Sequence, residues 1–144
     1  DVTKYHMPAM VYNPTLVQPR KISTLCSQID LMPTVFGLMN WSHETLGYGH
    51  DLLTPSAGTT AGRAFVSNYQ KIALLSEEGI AILKPNRKNS SYRVNMGNGD
   101  FSPIAADASE KLTREATAFY QSASWLFGSG GLKRKPVPPV ISQR

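Results

Sequence analysis

The chain has 144 residues, enough for one domain around a single core. Its apolar share of 41% and charged share of 17% exclude a disordered polymer, and no apolar run approaches the ~20 residues of a membrane-spanning helix. The lone cysteine, Cys26, excludes an internal disulfide framework and a multi-cysteine zinc site. The chain is therefore expected to be soluble, and no charged segment leading into an apolar one reads as a secretory leader.

The opening YHMPAMVY ends in a nearly continuous apolar run, Ala9-Met10-Val11-Tyr12. Such a run predicts a strand covered on both faces, as in a parallel sheet. Pro8 has no N–H for a ladder and marks the strand's start or an edge. Asn13-Pro14 breaks it, and Pro19 keeps the following loop extended.

From Leu31, apolar residues fall on nearly every side of the next element, predicting a short buried helix. Gly37 inside it costs helix propensity, about 1 kcal/mol relative to alanine, so a neighbouring backbone is expected to approach there. Two starts fit this helix. Ser27 and Asp30 have capping-box spacing, which begins it at Ser27. Alternatively Asp30 is the N-cap, which sets Pro33 in the first turn, where a missing N–H is harmless. The second is preferred, because Pro33 deeper in a helix removes a backbone hydrogen bond.

Residues 42–62 are polar and rich in Gly, Pro, Ser and Thr, a loop too long to be a mere connector. RAFVSNYQKIALL and GIAILK then read as strands joined by Ser76-Glu77-Glu78-Gly79, with Gly79 supplying a positive φ. A third strand, Ser91 to Met96, completes an antiparallel meander. Leu112, Ala116, Phe119, Ala123 and Leu126 form one apolar helical stripe, with Asp107 and Glu110 as a capping pair and Gly128 as the stop. Residues 133–144, basic and proline-rich, read as a flexible tail after a domain of residues 1–132.

The net charge of +5 is concentrated in Lys84, Arg87, Lys88 and Arg93 and in Lys133, Arg134 and Lys135. These read as a solvated face and a loose tail, or as a standalone basic module for an anionic polymer. Nucleic acid is not expected as partner, since Tyr92 alone interleaves those charges with an aromatic ring.

No set of residues reads as catalytic. His43 and His50 are separated by a loop sequence, and His50-Asp51 lacks a third metal ligand at readable spacing. Ser27 lies in no Gly-x-Ser-x-Gly elbow, and Cys26 has no histidine near it in sequence. GNGD at 97–100 and the later GSGG lack the strand-then-helix setting of a phosphate cradle. His6, ahead of the first strand, is the one candidate for a side chain aimed into a cleft. Asp30 has no second carboxylate or histidine beside it and reads as structural.

The order of these pieces resembles a known family. Lys4-Tyr5-His6-Met7-Pro8, the apolar run, Asn13-Pro14, Ser27-Gln28-Ile29-Asp30-Leu31-Met32-Pro33-Thr34 and Gly49-His50-Asp51-Leu52-Leu53 are similar to the sulfatase-type branch of the alkaline phosphatase superfamily. Within it they look most like the lipoteichoic acid synthase-like phosphoglycerol transferases. Gly62-Arg63-Ala64-Phe65 and Asn68-Tyr69-Gln70-Lys71 look like that family's following strands. The resemblance covers about Val2 to Leu132.

It implies an α/β to α+β fold: the C-terminal part of an alkaline phosphatase-like domain, with one buried strand and helix, a three-stranded meander and a last helix. It also implies a larger metal-dependent enzyme acting on phosphate or sulfate esters of the cell envelope. The nucleophile and the ligands of a manganese, magnesium or calcium ion would lie upstream, and this chain alone would be inactive. The implied partners are the upstream catalytic segment and an envelope phospholipid or glycan ester. The implied location is an inner-membrane anchor with the catalytic domain outside.

Overall fold

The computed structural model describes residues 2–54 and 62–132. A meander of five antiparallel strands forms the centre, in the order β1 (Arg63–Asn68), β2 (Lys71–Ser76), β3 (Ile80–Leu83), β4 (Ser90–Val94) and β5 (Phe101–Ser102). Among the described residues two α-helices accompany it, α1 (Leu31–Leu38) and α2 (Ala106–Gly128). The architecture is the mixed α/β class expected, with an antiparallel sheet followed by a C-terminal helix.

Side chains alternate between the sheet's two faces. Leu74 and Ala81 point to one face and are fully buried with Leu112 and Ala116 of α2, flanked by Phe65, Leu83, Ile104 and Phe119. Ala73, Leu75 and Ile80 point to the other, where Val2 and Leu25 reach them from outside the sheet. The first part of the predicted helical stripe, Leu112, Ala116 and Phe119, thus packs on the sheet, whereas Ala123 and Leu126 lie outside this core. The Tyr120 hydroxyl adds a bond to the Ala73 carbonyl at 3.2 Å.

The meander has more turns than the sequence announces. RAFVSNYQKIALL is two strands, because Asn68 pairs with Lys71 across Tyr69-Gln70, and Tyr69 takes a φ of 45°. A Tyr-Gln turn lacks the Asn-Gly or Asp-Gly signature of tight hairpins, so the pattern hid it. The Asn95–Asp100 turn, closed by Asn95 N–H to Asp100 O at 2.9 Å, adds β5. Gly79 has the expected positive φ, 150°, and a Cβ there would lie 2.3 Å from the Tyr92 carbonyl oxygen.

Other expectations are corrected. Ala9–Tyr12 forms no strand, and Met10 and Tyr12 are 89% and 81% exposed. Among the described residues no strand lies beside this stretch, so its backbone has no ladder to join. The stop of α2 is not Gly128, which is still helical; Ser129 is the C-cap and Gly130 takes the positive φ, 70°. Ala105, not Asp107, is the N-cap of α2, and Glu110 instead pairs with Arg114 at 3.3 Å. The proposed tail, 133–144, lies outside the described residues. No helix of the described residues is long and apolar enough to cross a membrane.

Candidate functional site

The most connected polar group is Asp30, which is fully buried. It ends a 3-10 turn, Gln28–Asp30, that runs directly into α1. Ser27 begins that turn: its N–H donates to Asp30 Oδ2 at 2.8 Å, and the Asp30 N–H donates to the Ser27 carbonyl at 3.0 Å. The capping box therefore holds at the 3-10 turn, and Asp30 is also the N-cap position of α1, although its carboxylate accepts no N–H of that helix's first turn. Ser27 Oγ also accepts the Phe65 N–H of β1 at 3.2 Å, tying the helix start to the sheet.

The other carboxylate oxygen faces the later chain. Asp30 Oδ1 accepts the His50 N–H at 2.8 Å and lies 3.5 Å from both Nη1 and Nη2 of Arg63. Arg63, its side chain only 11% exposed, also donates to the Tyr48 carbonyl and sits over the Phe65 ring. One carboxylate thus binds the helix start, the 48–50 loop and the first strand. This is how a fully buried charge is retained: a cation and fixed N–H donors replace water.

Around this node the loop fits closely. Thr34 Oγ1 donates to the Asp30 carbonyl at 2.7 Å and accepts the Leu52 N–H at 3.1 Å. A Cβ on Gly49 would lie 2.2 Å from the Ile29 carbonyl oxygen and 3.0 Å from Pro33 Cγ. Pro33 has no N–H to offer that carbonyl, so the helix is open there and the loop closes against it. At Gly37 the close neighbour is the Asp51 carboxylate, 2.2 Å from where a Cβ would stand, rather than the backbone expected. Asp51 Oδ1 in turn accepts the Leu53 N–H at 2.8 Å.

Beside the node an apolar cleft of about 470 Å³ opens between the α1 and α2 faces, lined by Met32, Pro33, Phe36, Tyr48, Ala123 and Leu126. Tyr48 stands edge-on to Phe119, with ring centroids 5.1 Å apart, and shares a hydrogen bond with Ser122. His43, at the rim, lies against Phe36 with a centroid separation of 5.1 Å.

This arrangement positions polypeptide; it does not activate a nucleophile. Asp30 is occupied by donors on both oxygens. Burial lowers the His50 pKa, the Arg63 charge adds to the effect, and Asp30 opposes it. Burial and then the Asp30 charge raise the Cys26 thiol, the wrong direction for an activated thiolate. His6 is exposed at the end of the short helical turn Thr3–Tyr5, among none of these contacts. Among the described residues no three His, Cys, Asp or Glu side chains gather as a metal site. Arg63 and the Tyr48 carbonyl are the partners that sequence reasoning missed. A cation opening an apolar strand was the available signal, since a buried carboxylate needs one.

No protein-family model and no curated protein matches the chain. A solved structure does: a protein in the alkaline phosphatase superfamily from Vibrio parahaemolyticus, with TM-score 0.70 and 25% identity over 83% of this chain. The fold is that of part of an alkaline phosphatase superfamily protein. The match supports the resemblance to the superfamily. The chain spans 28% of the length of that superfamily protein.

Proposed function

We propose that the chain is the C-terminal, largely structural portion of a metal-dependent sulfatase-like hydrolase or phosphoglycerol transferase. The observation that carries this reading is the lopsided match: most of this chain corresponds to a minor share of an alkaline phosphatase superfamily protein. The exposed apolar side chains of Met10, Tyr12, Leu16 and Trp41 support it, since a domain completed by further polypeptide would cover such a surface.

Under this reading the chain extends the sheet, seats α2 and forms one wall of a cleft. An enzyme of this class would use clustered acidic and histidine ligands for manganese, magnesium or calcium, whose chemistry is to polarise the ester and stabilise its developing charge. The described residues do not fit such an ion, so ligands and nucleophile are assigned to polypeptide outside this chain. The substrate class is a phosphate or sulfate ester of an envelope phospholipid or glycan, handled outside an inner membrane that anchors the parent.

The decisive test is the coding sequence upstream of Asp1. The reading expects an Asp-His or Asp-Asn pair shortly before it and a Thr, Ser or Cys nucleophile far earlier; an unrelated upstream sequence overturns it. In the intact enzyme His6→Ala is expected to cut turnover substantially, and unchanged kinetics would remove His6 from the site.

A further inference from the structure

The strand register gathers cations from two loops at one end of the sheet. Asn68 pairs with Lys71, so the β1–β2 turn is Tyr69-Gln70. The last β2–β3 pair toward that end is Ile72↔Leu83, which leaves Lys71 and Lys84 side by side one step beyond it. Ile82 pairs with Ser90, so the β3–β4 loop leaves from and returns to the same end, with Arg87 and Lys88 exposed on it. The other end of the meander carries Glu77 and Glu78, where Glu78 is paired with Lys111 at 2.5 Å.

Cations facing each other on neighbouring strands repel and cost stability. Among the described residues the ion pairs are Arg63–Asp30, Lys111–Glu78 and Arg114–Glu110, and none involves Lys71, Lys84, Arg87 or Lys88. Lys84 is held in place by its bond to Ser90 Oγ at 2.6 Å. The backbone adds a second observation. Tyr69, Asn86 and Arg87 take φ values of 45°, 59° and 57°, so three of the four described non-glycine residues with positive φ stand at this end. Such conformations cost free energy for a residue with a Cβ. At Tyr69 the two-residue hairpin turn imposes the positive φ, and the side chain it holds out is 98% exposed.

A bare tyrosine ring at the same end of the sheet as cations without ion-pair partners suits a boundary between water and lipid. The ring settles at headgroup level while lysine and arginine meet anionic phosphates. The cleft at Met32 and Leu126 and a second hollow at Tyr92 and Phe101 include no residue of these two loops. A broad anionic surface fits the loops better than a strand threaded through a groove. We propose that this end of the sheet docks on an anionic membrane, with Tyr69 entering the headgroup layer and Lys71, Lys84, Arg87 and Lys88 facing lipid phosphates. The inference uses only this chain and stands whether or not the enzymatic reading does.

The test is sedimentation of the 144-residue chain with phosphatidylcholine vesicles, with and without about one-third phosphatidylglycerol. Binding is expected to the anionic vesicles only and to weaken as salt is raised. Each cation contributes roughly fivefold to partition, so the double variant Arg87→Ala/Lys88→Ala is expected to lose roughly 25-fold. Tyr69→Asn is expected to weaken binding while leaving Tm unchanged or higher, because asparagine accepts the left-handed backbone more readily. Equal binding to both vesicle types, absence of binding, or full retention in the double variant overturns the proposal. So does loss of binding only when Lys133, Arg134 and Lys135 are replaced by alanine. Tighter binding to heparin or single-stranded DNA than to the anionic vesicles overturns it in favour of a soluble polyanion.

Discussion

Asp30→Ala is the sharpest probe of how this fold is held. The substitution removes the acceptor of two backbone N–H bonds, from Ser27 and His50, both at 2.8 Å. It also leaves the Arg63 guanidinium, 3.5 Å away, without its counter-charge. Orphaning a buried donor costs about 1–3 kcal/mol, and breaking one side of a buried ion pair costs about 3–5 kcal/mol. These losses share one carboxylate and do not add, so about 4 kcal/mol is expected in all, lowering Tm by roughly 10–15 °C. The 3.5 Å separation and the competing Tyr48 carbonyl imply that the charge pair is the smaller part. Urea unfolding followed by tryptophan fluorescence and circular dichroism, on Asp30→Ala, Arg63→Met and the double variant, separates the two. The Asp30–Arg63 coupling is expected near 1 kcal/mol, with Asp30→Ala more costly than Arg63→Met. A loss below about 1 kcal/mol for Asp30→Ala would refute the claim that this carboxylate joins helix, loop and strand.

Four further outcomes follow from the same structure. Gly49→Ala, driving a Cβ to 2.2 Å from the Ile29 carbonyl, is expected to cost about 1–3 kcal/mol. Gly128→Ala, with nothing within 4 Å of the added carbon, is expected to stabilise α2 by up to about 1 kcal/mol, both read by urea titration. The folded-state pKa of His50 is depressed, so the unfolded chain binds its proton more readily. Stability should therefore fall as pH drops through the ordinary value of 6.5 and level off below the folded pKa, a slope that His50→Gln should flatten in Tm-against-pH curves. Cys26, its thiol pKa raised, should react with iodoacetamide more slowly at mild alkaline pH than the same residue in the urea-unfolded chain.

Local pattern carries the existence of the two α-helices, the antiparallel meander and the spacing of Ser27 and Asp30, because each depends on residues close in sequence. It does not carry the burial of α1, where only Thr34 is buried and Met32 is 55% exposed. The spacing of Leu112, Ala116 and Phe119 marked the face of α2 that packs on the sheet, and Gly79 marked a turn that only glycine fits. The Tyr69-Gln70 hairpin stayed hidden, since no local signature announces a turn whose geometry comes from strand pairing. The Ala9–Tyr12 run shows the converse. Its apolar character is legible, but whether it forms a strand depends on neighbours, and among the described residues none stands beside it.

In the segment from Ser27 to Thr34 the sequence reads Asp30 as structural and offers two helix starts. That Asp30 is buried, that His50 and Arg63 converge on it from 20 and 33 residues away, and that Gly37 receives the Asp51 carboxylate are tertiary facts. So is the gathering of Lys71, Lys84, Arg87 and Lys88 at one end of the sheet. Composition and periodicity determine which elements form, because those forces act within a few residues. Which side chains meet across the loops is decided by strand register and packing, where one carboxylate or one missing Cβ selects the partner.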